Sequence, residues 1–239
     1  MPKTIVIVGA GAGVGLAIAE RFGREGFKVG LIARNTSRLE EMADKLKELG
    51  IEAAAFTADV RDKSALAGAI EAAVDRFGGI DVLEYSPTAT GDTLLTPREM
   101  TEENEQFHLE LAVLGAITAV RNALPSLQKS DNAAILFTTA ASAQYPVTFT
   151  ASFGVAAGAL LNYARVLNQE FAGNGIYAGI VSIAGLVVQR GEEGGRSPKG
   201  LELIAAQDIA DLHWELYTRR DRVEAIIGDT GMLRQLTGL

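Results

Sequence analysis

The chain has 239 residues, 48% of them apolar and 22% charged, with a formal net charge of −8. That length suits one α/β domain with a large core, and the apolar share excludes a disordered chain. The acidic balance excludes a general binder of nucleic acid or of an anionic membrane, and the lack of cysteine excludes disulfides and thiol chemistry.

With only His108 and His213, a histidine-rich metal centre is not expected. No uninterrupted apolar run reaches membrane-spanning length, and Met1 to Thr4 leads straight into an apolar segment. The expectation is therefore a cytoplasmic protein with no signal peptide and no membrane span.

In chain order, Ile5 to Gly9, by way of Val6, Ile7 and Val8, is a five-residue apolar run that reads as a strand. It leads into Gly9-Ala10-Gly11-Ala12-Gly13-Val14-Gly15, and Leu16 to Phe22 then has helical spacing. Strand, glycine turn and helix in that order make a phosphate cradle: glycine lets the backbone approach a pyrophosphate, and the helix start offers free N–H groups. The same glycines also suit a turn that does no more than pack helix on strand. Lys28 to Ala33 reads as a second strand, Thr36 to Leu49 as a helix stopped by Gly50, and Ala53 to Thr57 as a third strand. A helix over Lys63 to Phe77, the pair Gly78-Gly79 and a fourth strand over Ile80 to Tyr85 follow. This alternation specifies a single doubly wound Rossmann domain over 1–239, with a parallel sheet of about seven strands and helices on both faces.

Beyond a loop from Pro87 to Pro97, the spacing predicts a long helix over Glu102 to Leu124 closed by Pro125. A strand over Ala133 to Thr138, a helix over Ser152 to Phe171 and a strand over Ile176 to Ile183 come next. Gly191 to Gly200 reads as a mobile loop, Asp208 to Thr218 as the last helix and Val223 to Ile227 as the last strand. No second domain and no repeat is expected.

Gly9, Gly13 and Gly15 fit the spacing G-x-x-x-G-x-G. On that motif, at the head of a βα-alternating chain, the sequence resembles the short-chain dehydrogenase/reductase superfamily across nearly its whole length. The position before the first glycine, usually Thr, is Val8. The resemblance implies a dinucleotide held by the turn, with Gly9, Gly11, Gly13, Val14 and Gly15 against it. Arg34, beside Ala33 where an acid would bind the NAD ribose, suits a 2′-phosphate, with Asn35 adjacent, so NADP(H) is expected over NAD(H). Arg34 equally reads as a solvated loop arginine. Asp59-Val60 matches the family's adenine-contacting pair, and Asp59 also suits the cap region of the next helix. Where the family reads Asn-Asn-Ala-Gly, this chain reads Tyr85-Ser86-Pro87-Thr88, after Glu84, a carboxylate that could serve as a functional acid but is expected to reach solvent at the strand end.

The family's catalytic Asn, Ser, Tyr and Lys fall, by local register, on Ala112, Ala140, Phe153 and Ala157. No Tyr-x-x-x-Lys occurs anywhere in the sequence. Substitutes are conceivable in His108, Ser142 and Tyr145, each of which also has a bland reading as a surface histidine, a turn serine or a packed loop aromatic. The first expectation is thus an NADP(H)-binding homologue without standard dehydrogenase activity, a cofactor or ligand sensor or a scaffold. The others are an NADP(H)-dependent oxidoreductase acting on a carbonyl or alcohol with an atypical proton donor, and a structural subunit with a vestigial nucleotide site. The family also implies a homodimer or homotetramer. The small residues Ala112, Gly115, Ala116 and Ala119 on one long helix, with Ala156, Gly158 and Ala159 on the other, are expected to permit close approach.

Overall fold

The computed structural model describes residues 2–89, 91–188, 191–197 and 200–238. Seven parallel strands form one sheet in the order β3-β2-β1-β4-β5-β6-β9. They are β1 (Thr4–Val8), β2 (Lys28–Ala33), β3 (Ala53–Thr57), β4 (Val82–Tyr85), β5 (Ala134–Ala140), β6 (Tyr177–Ala184) and β9 (Glu224–Gly228). Two three-residue strands, β7 (Leu186–Val188) and β8 (Leu203–Ala205), pair beside it.

One face of the sheet is covered by α1 (Val14–Arg24), α2 (Thr36–Glu48) and α7 (Ala206–Arg219), and the other by α3 (Lys63–Phe77), α5 (Gly115–Leu127) and α6 (Ala151–Phe171). β1 is buried along its whole length, as a strand covered on both faces must be. Phe22 of α1 is fully buried and meets Trp214 of α7 edge-on, with ring centroids 5.1 Å apart. Side-chain caps start three helices: Asn35 accepts from Arg38 N, Asp62 from Ser64 N and Ala65 N, and Thr101 from Asn104 N.

Several boundaries differ from the sequence expectation. The fourth strand starts at Val82; ahead of it Ile80 N is taken by the Ser126 hydroxyl and Asp81 lies in a bend. Pro125 lies inside α5, not after it, and the long helix continues to Leu127. That helix is also composite: α4 (Glu102–Leu109) passes into α5 through a π-turn, Glu110–Leu114. Gly115 N bonds to Glu110 O, which leaves the Leu111 carbonyl for the Tyr85 hydroxyl at 2.5 Å. A Cβ at position 115 would run into that hydroxyl, so glycine is required there. By length and composition this 26-residue helix is long and apolar enough to cross a membrane, although no such run was expected; its inner face packs on the sheet.

The last short elements, β7, β8 and α8 (Gly231–Thr237), were not anticipated. Within the expected loop Gly191 to Gly200, Arg196 bridges to Glu202, while Pro198 and Lys199 lie outside the described residues, as does Thr90 of the earlier loop.

Candidate active site

The strand order reverses between β1 and β4, and ligands of open α/β sheets bind at the carboxyl ends of the strands beside such a switch point. A cavity of about 570 Å³ opens there. The glycine turn closes one end of it, Ser86 to Ala89 follow β4, and Thr138, Thr139 and Ala140 come from β5. The far wall is apolar: Leu94, Val147, Phe149, Phe153, Ile183, Leu186, Val187 and Val188.

The glycines of the turn divide by role. Gly9 has φ +90°, and a Cβ there would collide with the Ser86–Pro87 backbone. A Cβ at Gly15 would stand 2.9 Å from Ala10 Cα. Those two glycines serve close packing. At Gly13 a Cβ meets nothing within 4 Å, and at Gly11 only the Gly9 carbonyl at 4.0 Å. Both line the cavity with Val14, at the start of a helix that no side chain caps. This is the open cradle that a pyrophosphate fits.

Farther along the strand ends, Arg34 and Asn35 are exposed. Among the described residues nothing bonds to the Arg34 guanidinium, whereas the Asn35 side chain is occupied in capping α2. Asp59 does not cap the next helix, since Asp62 does; its Oδ1 instead accepts from Arg61 N in a local turn. Val60 is buried. None of Arg34, Asn35, Asp59 and Val60 lines the cavity.

Of the four positions on which the local register of the sequence puts the family's catalytic residues, Ala140 and Phe153 line the cavity, while Ala112 and Ala157 are buried away from it. His108 is buried and stands edge-on to the Phe153 ring, centroids 6.1 Å apart. Its Nε2 lies 2.9 Å from the Thr93 carbonyl, which can only accept, so Nε2 carries the proton. Asn104 and Ser152 donate to the same carbonyl, so the three side chains pin the loop before α4. Tyr145 is not a wall residue; its hydroxyl accepts from Arg234 Nη2 at 3.0 Å, and that guanidinium lies over its ring. Ser142 is a wall residue, and its hydroxyl is buried without a partner, as is that of Thr150.

The structure adds a group that sequence reasoning misjudged. Glu84 does not reach solvent but is fully buried. Its Oε2 lies 2.9 Å from Ser86 Oγ and its Oε1 2.8 Å from Thr138 Oγ1, and Thr138 Oγ1 is 2.9 Å from His213 Nε2. Burial pushes the Glu84 carboxyl up to about 8, even though both hydroxyl bonds pull it down. Burial holds the His213 imidazole down to about 3, so it is neutral. The signals were present but scattered: a glutamate in an apolar strand, and a histidine on the core-facing stripe of α7 with Ile209 and Leu216.

The profile of the short chain dehydrogenase family matches residues 3–192. An uncharacterized oxidoreductase of Staphylococcus epidermidis is 28% identical over 212 residues, 87% of this chain and 88% of that protein. The structure of L-sorbose reductase from Gluconobacter frateurii, complexed with NADPH and L-sorbose, superposes with a TM-score of 0.84 at 26% identity, covering 98% of this chain and 97% of its own. An NADPH-bound short chain oxidoreductase from Pseudomonas aeruginosa PAO1, described as containing an atypical catalytic center, has a TM-score of 0.84 at 23% identity over 96% of each chain, a likeness of fold.

Proposed function

We propose, from the premise that the chain belongs to the short-chain dehydrogenase family, that it is an NADP(H)-linked oxidoreductase for an apolar carbonyl or alcohol, working without the family's tyrosine–lysine pair. Relatives named as oxidoreductases and a neighbour holding NADPH support the class and the cofactor. The open cradle at Gly11 and Gly13 and the unpaired Arg34 support the same cofactor from this chain's own residues.

The observation that carries the reading is Ser142. An unpaired buried hydroxyl costs about 1–3 kcal/mol, and this one stands in the cavity wall. A ligand oxygen, met by rotation about χ1, supplies the missing acceptor. The bound dinucleotide would supply hydride. Ser142 orients the oxygen, and water entering by the cavity mouth would supply the proton that completes the alcohol, since Phe153 has none to give. Ala140, Ala112 and Ala157 leave the standard set chemically blank, so ordinary ketones with no acidifying feature are poor substrates.

The test is NADPH oxidation across a carbonyl panel, with Gly11→Val as the cofactor-dead control. Turnover that falls about 10²-fold in Ser142→Ala supports the reading. NADPH binding without any turnover favours the sensor or scaffold alternative, and no binding at all favours a vestigial site.

A further inference from the structure

Ser86, Glu84, Thr138 and His213 form one continuous hydrogen-bonded chain from the cavity into the core. Its direction follows from the His213 tautomer: Nδ1 is buried without a partner, and an orphaned buried N–H is disfavoured over an orphaned lone pair, so the ring hydrogen sits on Nε2. Thr138 has a single hydroxyl hydrogen; when it donates to Glu84 Oε1, it must accept from His213 Nε2–H. With Glu84 neutral, the acid hydrogen on Oε2 donates to Ser86 Oγ. Ser86 is then left with its own hydrogen free for the cavity. With Glu84 ionised, Ser86 must donate inward and offers the cavity only lone pairs.

We propose that Glu84 sets the hydrogen-bonding polarity of Ser86, so that the cavity takes an acceptor oxygen of the dinucleotide beside the glycine turn only while Glu84 keeps its proton. The inference rests on the dinucleotide reading above. Ser86 is placed for this role: Gly9 packs directly on the Ser86–Pro87 backbone, and both line the cavity.

The surroundings leave Glu84 without a charged partner. In register beside it, β1 presents Ile7 and β5 presents Leu136. On this side of the sheet α1 turns in Ala17 and Ile18, while its Arg21 points outward to Asp211 and Glu25. From α7, His213 is the one titratable group among the described residues that reaches Glu84, and only through Thr138. Asp81 sits at the other end of the strand, held by Thr4 N and Ser130, and Asp59 acts on Tyr85, which faces the opposite core. The network is thus a neutral acid on a one-way donor chain, with no cation to stabilise the anion.

The experiment is NADPH titration of the whole protein from about pH 6.5 to about pH 9.5, a window above the second ionisation of the 2′-phosphate near 6. Wild-type affinity should be flat at the acid end and then weaken about tenfold per pH unit, the slope of one linked proton. Glu84→Gln keeps a donor toward Ser86 and an acceptor toward Thr138, so it should bind tightly and without slope through pH 9. Ser86→Ala should bind more weakly throughout and lose the slope. A flat wild-type profile, or the wild-type slope persisting in either variant, overturns the proposal while leaving NADPH binding intact. Failure of every protein to bind NADPH at any pH overturns the dinucleotide reading and this inference with it. Should a variant not fold, calorimetry of the wild type in buffers of different ionisation enthalpy still tests the linkage: uptake of about one proton per NADPH at the alkaline end is expected, and none overturns it.

Discussion

At the scale of residues, the buried acid and the buried imidazole make stability a function of pH. The native state keeps the Glu84 proton up to about 8, where an unfolded glutamate has already lost it near 4.5, so stability falls as pH rises between those values. His213 acts in the opposite sense. It is neutral when folded down to about 3 and gains a proton near 6.5 when unfolded, so stability rises with pH between those values. The two slopes cancel in the overlap, which gives a plateau from about 4.5 to about 6.5 and a decline of order 1 kcal/mol per pH unit above it. Glu84→Gln should abolish the alkaline decline in urea-melt stability; an unchanged decline would show that another group causes it. The turn glycines make a sharper pair. Gly11→Val should fold normally and lose NADPH binding, because its Cβ enters the open cradle. Gly15→Val should lose stability itself, since its Cβ meets the Ala10 backbone. The glycine pattern was legible in the sequence because its signal is contiguous. Glu84 was not, because its fate depends on Thr138, 54 residues away, and through it on His213, a further 75 away.

At the scale of elements, the β2–α2 turn should choose the cofactor. Arg34→Ser should weaken NADPH binding by about ten- to a hundredfold, the worth of a charge-assisted bond, and leave NADH binding unchanged. Equal loss for both cofactors would remove Arg34 from 2′-phosphate recognition. The α1–α7 contact is the mechanical counterpart: Phe22→Ala should cost about 3–5 kcal/mol, read by denaturant midpoint. β2, β3 and α3 have the boundaries that their apolar runs and flanking turn residues predict. The π-turn, the passage through Pro125 and the strands β7 and β8 were not readable. A π-turn has no local signature, and three-residue strands in a glycine-rich region owe their form to the walls they pack on.

At the scale of the whole molecule, assembly is an expectation to be measured. The small residues that suggested close helix approach mostly face inward: Gly115, Ala116, Ala119 and Ala156 pack in the protein's own core, with Ala112 buried beside them. Among the residues the two long helices turn outward, Leu114, Val155 and Val166 are exposed apolar side chains, interspersed with polar ones such as Asn162 and Arg165. We expect a symmetric homo-oligomer through this face. Light scattering should give a mass that is a multiple of 25.2 kDa, and Val155→Asp with Val166→Asp should return it to the monomer value. A monomeric wild type would exclude the face. The doubly wound sheet itself was legible as a whole, since βα alternation leaves few ways to cover a parallel sheet on both sides.

The π-turn ties two distant positions into one heritable unit. It holds one residue more than an α-helical turn, and that extra residue is what frees the Leu111 carbonyl for Tyr85. A lineage that lost one codon between Glu110 and Leu114 would straighten the helix, rotate its first half against its second, and strand the Tyr85 hydroxyl in the core. Such a deletion would be tolerated only alongside a replacement at 85 that needs no acceptor. Descendants of this gene should therefore carry the insertion and the tyrosine together or lack both, and a homologue with one but not the other would show that the coupling is not binding.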